Sequence, residues 1–260
     1  MKVSIIGFGV VGRAQAYLMH ALGHEVYVYD VSKIADPPDY VKIVKSPYSD
    51  PDLTFICVPE DAVEETVEML IEKDNNDFFV IKSTVPPTTT RRLMEKYGIH
   101  ICHNPEFLRE AHSLKDAVTP SRIVIGECCP KHGLLLKTVY APLGVKTYVT
   151  DPTTSELIKL AINSLRAVII TYWNEIYELA EELGVKTEDV VKIVDQGRTI
   201  DSYEGGNWGT RFFGKPFGGK CLPKDLTQLI KAFRDHSLNP RLFEAVREYN
   251  RILKVREREK

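Results

Sequence analysis

Cys221 follows two glycines in FGGKCLPKD, residues 217–225, and Pro223 stands two positions further on. Pro223 suits the first turn of the helix that DLTQLIKAF continues, because its missing N–H would be unpaired there. The pattern predicts Cys221 just ahead of a helix N-terminus. Free N–H groups, the positive end of the dipole and the neighbouring Lys220 and Lys224 favour a thiolate at such a position, and Gly218 and Gly219 let a substrate approach it. A plainer reading stands beside this one, since free cysteine often fills space as a small hydrophobe. Cys57 and Cys102 lie in apolar strands, where burial disfavours ionisation, and Cys128 and Cys129 fall in a surface turn before Pro130.

Lys159 and Asn163 are four residues apart, hence on one face, within the apolar run SELIKLAINSLRAVII. A lysine and an amide on a core-facing stripe need partners or a task. Either they serve a site, or Glu156 neutralises Lys159 while Asn163 caps a neighbouring loop. Glu106, Arg109 and Glu110 cluster in HNPEFLREAHSLKD after the strand IHIC, at a turn that can face the carboxyl edge of a parallel sheet, where ligands bind. Thr84 closes the strand FFVIKST on the same edge. At the start of the chain Gly7, Gly9 and Gly12 spell G-x-G-x-x-G between a strand and a helix. The glycines permit a tight turn, close approach to a pyrophosphate and close helix packing, and the helix N-terminus faces the phosphates. Asp30, ending the second strand, suits the ribose hydroxyls of NAD and would repel the extra phosphate of NADP, with Lys33 nearby as the one opposing charge.

The elements that carry these groups follow from hydrophobic patterning. Short β-branched or aromatic runs (VSIIGF, HEVYVYD, LTFICV, FFVIKST, IHICH, SRIVIG, VKTYVT) alternate with helical stretches, among them DAVEETVEMLIEK, TTTRRLMEKYG closed by Gly98, and KHGLLLKTVYAPL. That alternation predicts an α/β fold, a Rossmann-type doubly wound, mainly parallel sheet, over 1–150. After DPTTS the chain reads as helix and loop, with one long helix from about Glu156 to Leu183, so 151–260 is read as an all-helical central domain. The apolar length of that helix suggests a homodimer through about 155–183. GGNWG at 205–209 marks a loop. With 34 Lys and Arg against 36 Asp and Glu in 260 residues, no basic field is present to bind nucleic acid. The absence of a signal-like start, of a membrane-length apolar run and of any C-x-x-C pair among five cysteines suggests a cytoplasmic protein with free thiols and no metal site.

Five segments resemble the UDP-glucose/GDP-mannose dehydrogenase family in the family's order: VSIIGFGVVG, KSTVPPTTT, HNPEFLRE with the spaced RIVIG, the K-x-x-x-N helix ending in NEI, and FGGKCLPKD. The resemblance implies four-electron oxidation of a nucleotide sugar's primary alcohol to a carboxylate with two NAD. On that pattern Cys221 attacks the intermediate aldehyde, and the thiohemiacetal becomes a thioester that water hydrolyses. Lys159 and Asn163 stabilise the oxyanion, Asp225 and Thr84 hold the water, and Glu106 assists proton transfer. Thr84, Glu110 and Lys224 contact NAD, while Phe107, Leu108, Arg109, Phe217 and Gly218 line the sugar pocket. Three departures stand out. VPED replaces the usual VPTP, Thr88 replaces the glycine of PPG, and a long insertion between Asp30 and Leu53 is missing. Family members also continue into a C-terminal UDP-binding domain, so the resemblance implies a truncated form. Two alternatives are a single-step β-hydroxyacid dehydrogenase relative, which needs no cysteine, and a non-catalytic NAD-binding paralogue.

Overall fold

The computed structural model describes residues 1–73, 78–195, 212–219 and 221–259. Lys220 and the segment 205–209 lie outside the described residues.

Continuous apolar runs can form strands buried on both faces only if helices cover both sides. The strands are β1 (Lys2–Ile6), β2 (Glu25–Tyr29), β3 (Val41–Ile43), β4 (Leu53–Ile56), β5 (Phe78–Ile81), β6 (His100–His103), β7 (Ile123–Gly126) and β8 (Thr147–Thr150), of which β4, β5 and β7 are buried along their whole length. They form one sheet in the order β3-β2-β1-β4-β5-β6-β7-β8. Every pairing is parallel except β6 with β7, where His103 opposes Gly126. Side-chain alternation divides the core into two layers. Val3, Ile5, Phe55, Val80 and Cys102 pack on one face, and Ile6, Ile56, Phe79, Ile81 and Ile101 on the other. The expected doubly wound sheet is therefore present, with β3 as a short addition at one edge. Its three residues offer too little apolar signal to read from sequence.

The crossovers between parallel strands are α1 (Val10–Ala21), α2 (Val63–Lys73), α3 (Thr89–Tyr97) and α5 (Pro130–Tyr140), and α4 (Ser113–Val118) lies in the connection between the antiparallel β6 and β7. Helix α3 ends at Gly98 with φ 68°, the left-handed stop that the sequence suggests. The long helix α6 runs over Pro152–Leu183. Asp151 sets its start: its carboxylate accepts from Thr154 N at 3.1 Å and Thr154 Oγ1 at 2.5 Å, and Pro152 occupies the first turn. Gly126 makes room for this start, since a Cβ there would lie 2.7 Å from both Pro152 Cα and Ser155 Cβ.

By contacts the chain divides after Lys159. The first two turns of α6 belong with the sheet because Glu156 reaches the N-terminus of α3. It accepts from Thr88 N at 2.6 Å, Thr90 N at 2.7 Å and Thr90 Oγ1 at 2.6 Å. Glu156 therefore caps a helix and does not neutralise Lys159. The second unit holds the rest of α6 with α7 (Thr187–Asp195), α8 (Cys221–Asp235) and α9 (Arg241–Arg258). Its core gathers Ala167, Ile170, Phe217, Leu226, Ile230 and Val246.

Thr88 has φ 80°, a left-handed conformation that strains a β-branched residue. The capped turn holds it there. Thr88→Gly is expected to raise stability by about 1 kcal/mol in chemical denaturation, and a loss of stability would show that the turn is unstrained.

Candidate active site

The glycine loop after β1 has the geometry that its spacing requires. Gly7 has φ 89°, and a Cβ on Gly12 would sit 1.9 Å from Gly7 O, so no other residue fits at Gly12. A Cβ on Gly9 would meet no atom within 4 Å, which leaves open space in front of α1. The N-terminus of α1 has no side-chain cap, so its first N–H groups remain for an anionic ligand. Asp30 is held at the rim, its carboxylate accepting Phe8 N at 2.6 Å and Ser32 N at 2.7 Å. Its remaining lone pairs suit ribose hydroxyls, and the residues present fit a dinucleotide. Lys33 is exposed in the bend after β2.

Beyond β6 the irregular segment 104–109 presents Glu106 to Lys159. The ammonium donates to Glu106 Oε1 at 2.9 Å and to Glu106 O at 2.7 Å, and lies 5.6 Å from the centre of the Phe107 ring. Lys159 is 4% exposed. Burial alone would push the Glu106 carboxyl up, but the Lys159 charge and the Leu108 N–H, 2.6 Å from Oε2, hold it below its ordinary value. The pair is therefore a fixed cation beside a carboxylate, able to steady a developing oxyanion and to pass protons.

Next to it lies a polar network that sequence reasoning missed. Lys82 donates to Asn104 Oδ1 at 2.9 Å, Tyr140 donates to the same oxygen at 2.6 Å, and Gln15 Nε2 donates to Tyr140 Oη at 3.1 Å. Burial pushes the Lys82 ammonium down to about 8, with Cys57 and Glu106 opposing this and Lys159 adding to it. The available signal was a lysine at the end of an otherwise apolar strand. His103 is buried between Ser155 Oγ at 2.8 Å and Ser83 O at 3.3 Å, and burial pushes it down to about 3, so it stays neutral. Thr84 lies three residues past the end of β5, in a loop and half-buried, so it does not close the strand. Arg109 pairs with Asp116 at 2.6 Å, Leu108 packs against the core, and Glu110 is exposed.

In the helical unit Cys221 is the first residue of α8 itself, with Pro223 inside the first turn, and it is exposed. Cys57 and Cys102 are buried, and burial pushes the Cys57 thiol up to about 12. One turn along α8, Asp225 accepts from Asn163 Nδ2 and pairs with Lys224 at 2.8 Å. Asn163 and Asp225 are 2% and 1% exposed. Asn163 thus serves a buried carboxylate and not a loop end. Phe217 is anchored in the core, its N–H and C=O both bound by Asn250, while Gly218 and Gly219 have open space around them.

Residues 40–144 match the model for the NAD binding domain of the UDP-glucose/GDP-mannose dehydrogenase family, and residues 153–252 match its central domain. The UDP-glucose 6-dehydrogenase of Rickettsia typhi is 30% identical over 97% of this chain and 67% of its own length. The chain belongs to this family. The GDP-mannose 6-dehydrogenase of Pseudomonas syringae pv. syringae is 28% identical over 88% of this chain and 63% of its own. A UDP-glucose dehydrogenase structure from Pyrobaculum islandicum superposes with a TM-score of 0.82 at 29% identity, covering 96% of this chain and 68% of that one. The chain thus spans about two-thirds of the length of these relatives, and it carries the family's NAD binding domain. No helix among the described residues is long and apolar enough to cross a membrane.

The open space at Gly9 yields a test of the cofactor site. Gly9→Ala is expected to keep folding stability within about 0.5 kcal/mol while weakening NAD binding roughly tenfold or more by calorimetry. Unchanged affinity would mean that the dinucleotide does not pass over this loop.

Proposed function

We propose that this member of the NAD-dependent nucleotide-sugar dehydrogenases oxidises a nucleotide sugar's primary alcohol to the carboxylate through a thioester on Cys221. The observation that carries the reading is the position of that thiol: among the five cysteines it is the exposed one, and it opens a helix of 15 residues. Backbone N–H groups and the positive helix end favour negative charge there.

Bound NAD supplies the hydride acceptor, one molecule for each oxidation. The residues do the rest. In the first oxidation the alcohol loses its hydroxyl proton and a carbon-bound hydride, giving the aldehyde. Cys221 sulfur then adds to the aldehyde carbon, and Lys159, with Asn163, offsets the charge on the resulting oxygen. Departure of a second hydride from that carbon leaves the thioester. Water held by Asp225 and Thr84 adds to it, Glu106 assists the proton transfer, and the acid leaves as the thiol is regenerated. Glu110 and Lys224 are assigned to NAD. Phe107, Leu108 and Arg109, with the turn at Phe217 and Gly218, are assigned to the sugar. A homodimer through α6 belongs to the same reading, supported by the exposed Leu165, Tyr172 and Leu179, which recur every seven residues and so form one stripe.

UDP-glucose, UDP-N-acetylmannosamine and GDP-mannose are the sugars to screen for NADH formation. Two NADH are expected per sugar consumed by the native chain, and no acid is expected from Cys221→Ser although that variant still binds NAD. One NADH per sugar with an active Cys221→Ala would refute the thioester route. Sedimentation of the same preparation reads the dimer, and a single chain's mass would remove it from the account.

A further inference from the structure

Two histidines and two cysteines meet at the opposite end of β6 from the groups described above. His100 begins that strand, whereas Asn104 and Glu106 follow its end. Because β7 runs antiparallel to β6, the chain leaving Gly126 travels back along β6 towards His100. It delivers Cys128 and Cys129 in the turn before α5, and α5 supplies His132 from its first turn. One ligand atom from each of His100, Cys128, Cys129 and His132 lies within 4.8 Å of every other. His132 Nδ1 sits 3.3 Å from both sulfurs.

We propose that these four residues form a binding site for a borderline-soft divalent cation of the zinc class. Two thiolates and two imidazoles are the donor set of tetrahedral structural zinc. With Zn–S near 2.3 Å and Zn–N near 2.0 Å, the edges of such a tetrahedron measure about 3.5 Å. Two of the four sulfur–nitrogen edges, those from His132 Nδ1, already agree, and closing the rest takes a contraction of at most about 1.3 Å, which side-chain rotation supplies. The surroundings hold the ligands in place. Phe78 stacks on the His132 ring with centroids 3.9 Å apart and planes 8° from parallel, and the buried Cys102 sulfur accepts the Cys128 N–H at 3.4 Å. His100 is exposed, so the cation enters from solvent. On binding, both thiols pass their protons to solvent, and the ion ties the start of β6 to the β7–α5 turn. Four protein ligands leave no open position, which makes the role structural and separate from the proposed oxidation.

The test is titration of the reduced, chelator-treated full chain with Co²⁺ followed by Zn²⁺. One equivalent of Co²⁺ is expected to give the intense visible bands and thiolate charge transfer of a tetrahedral site, and Zn²⁺ is expected to erase them. Because replacement of the buried His132 could perturb folding, the variants are His100→Ala and the pair Cys128→Ser with Cys129→Ser, checked for native circular dichroism. Both are expected to lose affinity by more than about a hundredfold, while Cys221→Ser retains it. Weak octahedral spectra, no stoichiometric binding, or an unchanged spectrum in the double serine variant would overturn the proposal.

Discussion

A lysine ammonium taken out of water must find an anion or lose its proton, and the structure meets this constraint at Lys159 with Glu106. The pair joins the loop leaving β6 to the second turn of α6, through two hydrogen bonds from one ammonium. Neither partner is dispensable, since each charge alone would be buried without compensation. A carboxylate that burial would drive neutral is kept ionised by its neighbour, and this mutual dependence holds the two groups together.

The same stretch of α6 organises much of its surroundings. Gly126 admits its first turn, Ser155 holds His103, Glu156 caps α3, and one turn beyond Lys159 the amide of Asn163 meets Asp225. Glu156 works at a cost. Burial raises its carboxyl to about 7, with the Thr90 and Thr88 donors opposing this and Asp151 adding to it. Its folded value lies above the unfolded one, so its contribution to stability is fullest below pH 4.5 and is lost as pH rises through 7. His103 acts in the opposite sense, since its lowered value makes stability fall as pH drops from 6.5 towards 3.

Motifs with a local mechanism were legible in the sequence. The glycine triplet, Asp30, the Gly98 stop and the Pro223 helix start each depend on a few neighbouring residues, and local sequence encodes those needs. What stayed hidden depends on pairing between distant segments. Lys82 reads as an oddity in a strand until Asn104 and Tyr140 are placed around it. Glu156 looks like a partner for Lys159 because both sit on one helix face, and only the packing of α3 shows where it points. The sulfurs of Cys128 and Cys129 look like idle turn residues because His100 reaches them through an antiparallel pairing that the parallel rhythm of the other strands conceals.

A double-mutant cycle on Glu106→Gln and Lys159→Met, followed by chemical denaturation, tests the central constraint most directly. If each buried charge is compensated by the other, each single change destabilises the chain by about 3 kcal/mol and the pair together by much less than the sum, giving a coupling of about 2 kcal/mol or more. Additive effects, within about 0.5 kcal/mol, would mean that the two side chains are independent, and the account of how this site is held would fail.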